Sequence, residues 1–192
     1  MINQLKTWIG RTSPAIVAAW VATLSGCSSA PIHYHTLVPI KGTAASAANS
    51  QYDIVIDRLS MPPQVDRSQM VIRQGSSGLV ILETEWWGAN LTDEVQNALS
   101  NQLPQPASTT SDRTRLHLML DVQRFDSVPG QYALIEAKWR LRSKDAGVRL
   151  ECYSKLSTPA GNSIDELVIA HQENLMKLTS MIVAAGRSGR CS

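Results

Sequence analysis

Leu116, Leu118, Leu120 and Val122 recur at every second position, with His117, Asp121 and Gln123 among the residues between and after them. Val128-Pro129-Gly130 then turns the chain, and Ala133, Ile135, Ala137, Trp139 and Leu141 alternate with Glu136, Lys138 and Arg140 on the way back. A period of two places each apolar set on one face of a strand, so this stretch predicts sheet with one buried face. A further turn at Lys144-Asp145-Ala146-Gly147 and the run from Val148 to Ser157 extend it into an antiparallel meander. The remaining elements must cover that face.

Upstream, Tyr52-Asp53-Ile54-Val55-Ile56-Asp57 alternates and reads as a strand, which Met61-Pro62-Pro63 ends because proline cannot donate to a ladder. Gln69-Met70-Val71-Ile72-Arg73 and Leu79-Val80-Ile81-Leu82 flank Gly75-Ser76-Ser77-Gly78 and predict a hairpin. His33-Tyr34-His35-Thr36-Leu37-Val38 reads as a short strand, and residues 41–51 as a flexible loop of small polar residues. Asn90 is positioned to cap a helix whose apolar stripe is Leu91, Val95, Ala98, Leu99 and Leu103, stopped by Pro104 and Pro106. Ser163-Ile164-Asp165-Glu166 has the spacing of a capping box. It opens a longer helix with Ile164, Val168, His171, Leu175, Leu178 and Ile182 in its stripe and Gly186 after its end. The strand–helix–strand order from Leu79 to Val122 permits one parallel crossover. The expected fold class is α/β: a mixed, largely antiparallel sheet with one βαβ crossover and two principal helices.

The N-terminus carries Lys6 and Arg11 and then an apolar run from Pro14 to Leu24, the order of a secretory signal and too short for a membrane span. Leu24-Ser25-Gly26-Cys27 resembles the lipobox of bacterial lipoproteins. The resemblance implies cleavage before Cys27 and acyl chains, such as palmitate, on its sulfur and nitrogen. Each buried methylene contributes about 0.8 kcal/mol, so two or more chains make a stable anchor. Ser28 stands where an Asp resembles an inner-membrane retention signal, which favours the outer membrane. The expected divisions are therefore a signal peptide over 1–26 and a lipidated N-terminus with tether strand and loop over 27–51. A single domain over 52–186 follows, with its first strand at 33–38, and then a basic flexible tail over 187–192.

The mature chain would keep 166 of 192 residues, one domain's worth. Two of the 18 basic residues leave with the leader, so 16 basic residues face 16 acidic ones. That balance and the absence of a basic stripe argue against nucleic acid as a partner. Cys152 lies in an alternating strand and reads as a buried small residue, and Cys191 sits in a Gly-Arg-Ser-Gly-Arg tail. In an exported domain the two are also the candidate disulfide.

Catalytic signals are weak. His33 and His35 share a strand face, but two ligands are too few for zinc and no third lies nearby in sequence. His171 falls in a helix stripe as a core or boundary residue, and His117 alternates with leucines. No G-x-S-x-G elbow, P-loop or G-x-G-x-x-G occurs, so neither an enzyme nor a cofactor is expected. Adjacent Trp86 and Trp87 have two readings. Either one is exposed to a protein partner or a membrane interface, or Trp87 staples the helix start while Trp86 packs on the sheet.

Taken together, Tyr34-His35-Thr36-Leu37, the segment from Met61-Pro62-Pro63 through Asp66, Arg67, Gln69 and Arg73, and Trp86-Trp87-Gly88 ahead of a helix form a pattern. With Gln123-Arg124-Phe125-Asp126 and Ala137-Lys138-Trp139-Arg140-Leu141 it resembles the PqiC-like auxiliary lipoproteins of ABC-type and MCE (mammalian cell entry) lipid transport systems. The resemblance spans residues 34–185. It implies a non-catalytic component at the outer membrane facing the periplasm, with an MCE-type periplasmic protein and an inner-membrane permease as partners. Homo-oligomerisation into a ring suits a tube-like partner. Asp66, Arg67, Gln69, Arg73, Trp86 and Trp87 are the expected docking residues. The rival readings are a periplasmic lipid-carrying module and a serine hydrolase.

Overall fold

The structure, a computed structural model, describes residues 30–40, 52–104, 113–143 and 147–191. The chain divides into two compact units, Met1–Pro31 and Ile32–Ser192, and the fold below is that of the second. The expected loop at 41–51 and most of the turn at 144–147 lie outside the described residues, as do residues 105–112.

Among the described residues, seven strands and two helices follow in the order β1 (His33–His35), β2 (Tyr52–Ser60), β3 (Gln69–Gln74), β4 (Gly78–Trp87), α1 (Leu91–Gln102), β5 (Thr114–Val128), β6 (Tyr132–Arg142), β7 (Arg149–Pro159) and α2 (Ile164–Ser188). They form two mixed sheets, ordered β1-β4-β3 and β2-β5-β6-β7. The fold is α/β and largely antiparallel, with two helices.

The expected antiparallel meander is present, and in its register Leu118 faces Leu141, Leu120 faces Trp139, and Trp139 faces Cys152. Its inner face is closed by α2, which packs on β6 and β7, while α1 lies against α2 and β2. Trp139 is 1 % exposed and still satisfies its indole N–H, which donates to Ser154 Oγ at 3.0 Å. Ser163 caps α2 as the capping box requires, accepting from the Glu166 N–H while the Glu166 carboxylate accepts from the Ser163 N–H.

Besides β1 stopping at His35, short of the expected Val38, two details differ from the sequence reading. β4 does not continue through α1 into a parallel neighbour in its own sheet. It is the central strand of the smaller sheet, with both edges occupied by β1 and β3, so β5 pairs in parallel with β2 instead. The crossover thus contains the β3–β4 hairpin as well as α1. The second detail is that α2 passes through Gly186 and ends at Gly189, whose φ of 66° suits a left-handed cap. Gly186 is a contact residue: a Cβ there would lie 3.0 Å from Leu116 Cδ1, so the missing side chain lets helix and sheet approach.

Candidate functional site

The residues expected to dock a partner separate into two groups. Asp66 follows a tight turn after Pro62 and reaches the start of α1, where Oδ1 accepts from the Thr92 N–H at 3.1 Å, Thr92 Oγ1 at 2.8 Å and Asn90 Nδ2 at 3.3 Å. Asn90 occupies the N-cap position but makes no side-chain cap bond of its own. Asp66 thus does from another segment what an N-cap side chain ordinarily does. Trp87 is 2 % exposed and meets Phe125 edge to face, so it belongs to the core and is withdrawn from the docking set. Arg73 Nε lies 3.0 Å from Asp126, which is 5 % exposed and also binds Arg124. That hydrogen bond to Asp126 is the main reason the Arg124 guanidinium is held above its ordinary value. Arg67, Gln69 and Trp86 remain half-buried. Sequence reading missed Leu79 and Ile81, which are 43 % and 46 % exposed on the hairpin arm opposite Arg73 and Val71.

The histidine pair gains the partners that sequence proximity did not supply. β1 runs parallel to β4, placing His33 opposite Glu85. His33 Nδ1 lies 3.0 Å from one Glu85 oxygen and His35 Nε2 2.6 Å from the other, and His35 Nδ1 is 3.5 Å from Asp165 at the start of α2. Burial alone raises the Glu85 carboxyl, but hydrogen bonds and charge from His35 and His33 outweigh it and leave the group below its ordinary value. Ile32, Tyr34 and Ile164 complete an open groove of about 720 Å³ here. Among the described residues no group of three is arranged to hold a metal ion. Chemically the cluster ties β1 to β4 and α2. Behind it, the buried Glu94 of α1 accepts from Thr36 Oγ1 and the Leu37 N–H, both at 2.8 Å.

Among the described residues, Ser127 and His171 form a serine–histidine contact with a catalytic look, at 2.9 Å. Both are buried, at 2 % and 0 % exposure, and the imidazole stacks on Phe125 with ring centroids 3.9 Å apart. Burial pushes His171 down to about 3, so it is neutral across the physiological range. His171 Nδ1 has no hydrogen-bond partner, so no acid orients the ring as a triad requires. Elsewhere, Cys152 and Cys191 are joined by a disulfide with Cα atoms 5.7 Å apart, tying the end of α2 to β7.

With this geometry in place, a model of ABC-type transport auxiliary lipoprotein components matches residues 35–183. The chain belongs to that family. A search of curated proteins returned no match. One crystal structure, of an uncharacterized protein, superposes with a TM-score of 0.63 at 15 % identity, covering 81 % of this chain and 98 % of that one. A Xanthomonas campestris protein of the DUF330 family gives 0.58 at 20 % identity, covering 80 % and 93 %. At such identities the likeness shows the fold alone.

This auxiliary lipoprotein component therefore serves an ABC-type transport system. The residue expected to carry its lipid, Cys27, lies outside the described residues, together with Leu24, Ser25, Gly26 and Ser28. Among the described residues no helix is long and apolar enough to cross a membrane. Two further grooves, of about 680 and 290 Å³, open between polar residues such as Asp57, His117 and Arg149 in one and Arg58, Asp121 and Arg140 in the other.

Proposed function

We propose that this auxiliary lipoprotein is a non-catalytic, acylated envelope component, anchored through Cys27 in the outer membrane and docking an MCE-type partner on the periplasmic side. The observation that carries the reading is the β3–β4 hairpin. Leu79 and Ile81 stay exposed on it while Leu116, Leu118, Leu120 and Trp139 of the domain are fully packed. Exposed apolar pairs beside charged groups are the anatomy of a contact surface. Arg67 and Gln69 remain in the docking set, joined by Leu79 and Ile81. Ser127 and His171, the nearest approach to a hydrolytic pair, are closed off from any substrate.

The test is site-specific photocrosslinking of the full-length acylated protein in its own envelope, with reactive groups at Leu79 and Ile81. Capture of an MCE subunit at these positions, lost in a Leu79→Asp/Ile81→Asp double variant that still melts normally, supports the reading. Capture of phospholipid without such a subunit would favour a lipid carrier. A Cys27→Ala variant recovered processed in the soluble envelope fraction supports the anchor.

A further inference from the structure

Ile32 follows Cys27 by five residues. Five residues of chain span at most about 17 Å. On the anchored reading above, on which this inference rests, the acyl chains hold β1 within that distance of the headgroup layer. What the chain presents there includes large apolar and aromatic side chains beside the exposed His33. Ile32 is 44 % exposed and Tyr34 66 % exposed, and Trp86, the register partner of Tyr34 on β4, meets it edge to face with centroids 6.4 Å apart. His33 and His35 line the same groove as Ile32 and Tyr34 and are tied there to Glu85. The indole N–H of Trp86 is already donated to the Glu83 carbonyl at 2.9 Å, so burying the ring in a wet, semi-apolar layer strands no polar group.

We propose that the Ile32–Tyr34–Trp86 face rests on the headgroup surface of the membrane in which Cys27 is anchored, and so fixes the orientation of the domain. Tyrosine and tryptophan concentrate at that depth because one ring satisfies both an apolar and a polar neighbour. The short tether supplies the affinity: a linked surface meets its target at an effective concentration in the millimolar range, so weak partitioning suffices. Of the other large exposed hydrophobic groups, Ile40 follows β1 closely in sequence, whereas Leu79, Ile81, Tyr153 and Ile169 sit on β4's hairpin end, β7 and α2, far along the chain from the anchor. None of the three side chains is charged, so the contact persists in high salt and does not need anionic lipid. Trp86 accordingly leaves the partner-docking set and joins the membrane face.

The mature chain holds three tryptophans, and Trp87 and Trp139 are 2 % and 1 % exposed, which leaves Trp86 as the reporter. The experiment places the acylated mature protein in phosphatidylethanolamine/phosphatidylglycerol vesicles containing a headgroup-nitroxide lipid. The expected result is quenching that disappears in Trp86→Phe and weakens in Ile32→Ser/Tyr34→Ser, with flotation of both variants unchanged. A Tyr153→Trp reporter in the Trp86→Phe background is expected to stay bright. Flotation with no quenching of Trp86, or equal quenching at the Tyr153→Trp position, overturns the inference while leaving the anchor intact. Dityrosine links through Tyr34 between copies, with Trp86 shielded from lipid, would assign the face to a second copy and also overturn it. Failure of the acylated wild type to float overturns the anchor first and the inference with it.

Discussion

Removing the Asp66 carboxylate tests whether this residue is structural or a docking group. In Asp66→Ala the Thr92 N–H, the Thr92 hydroxyl and the Asn90 amide lose one shared acceptor at 3.1, 2.8 and 3.3 Å. Loss of a capping side chain costs about 1 kcal/mol, and a charged acceptor at a helix N-terminus adds up to about 1 kcal/mol through the helix dipole. The expected loss is about 2 kcal/mol, which for a chain of this size lowers Tm by roughly 4–8 °C. Asp66→Asn keeps an acceptor and loses the charge, for about 1 kcal/mol. Asn90→Ala, which removes no cap bond of its own, is expected to stay within about 0.5 kcal/mol. Far-UV circular dichroism melts of the mature protein read all three. The reasoning is refuted if Asp66→Ala melts like wild type while crosslinking to the transport partner collapses.

Reduction of the Cys152–Cys191 bond opens a loop of sequence separation 39, for which the chain-entropy relation gives about 4 kcal/mol as the ceiling. A fall in Tm on adding dithiothreitol is expected, absent from a Cys152→Ser/Cys191→Ser double variant, and identical melts with and without reductant in the wild type would contradict it. His171 is buried neutral and held at about 3, whereas unfolding returns it to an ordinary value near 6.5. The unfolded state therefore binds the extra proton between these values, and stability falls by as much as about 1.4 kcal/mol per pH unit as pH drops below 6.5. Urea titrations at stepped pH check this, and His171→Gln must flatten the limb. Glu85 has the opposite chemistry but the same sign: its folded carboxyl is lowered, so its contribution is complete above pH 4.5 and is lost as pH falls through the folded value. Hydrogen exchange of the β1 amides is expected to accelerate there in wild type and to be insensitive to that step in Glu85→Gln.

Strand alternation made the meander legible, because Leu116 to Val122 and Ala133 to Leu141 state their buried face residue by residue. The capping box was legible for a similar reason: Ser163 and Glu166 are three residues apart, and their bonds are local. What escaped lies in long-range pairings. Asp66, in the loop before β3, caps a helix that begins 25 residues later, and Glu85 meets His35 across 50 residues because β1 pairs in parallel with β4. The split into two sheets followed from the same cause, since nothing local announces that both edges of β4 are taken. Gly186 looked like a helix end because glycine commonly is one, and only the contact with Leu116 shows why it sits inside.

β1 carries a mechanical consequence. On the proposed anchoring through Cys27, a pull between bilayer and domain enters through residues 33–37, which are secured by the Gly88 N–H on the His35 carbonyl at 2.8 Å, by Glu94 on Leu37, and by Gln172 on the Thr36 carbonyl at 2.9 Å. While they hold, the leash is a few residues long. The next described strand begins at Tyr52, 25 residues from Cys27, and a chain of that contour reaches at most about 90 Å. On that reading, one short strand separates a domain held close to its membrane from one able to stand farther off it, and the force at which it yields selects between the two heights.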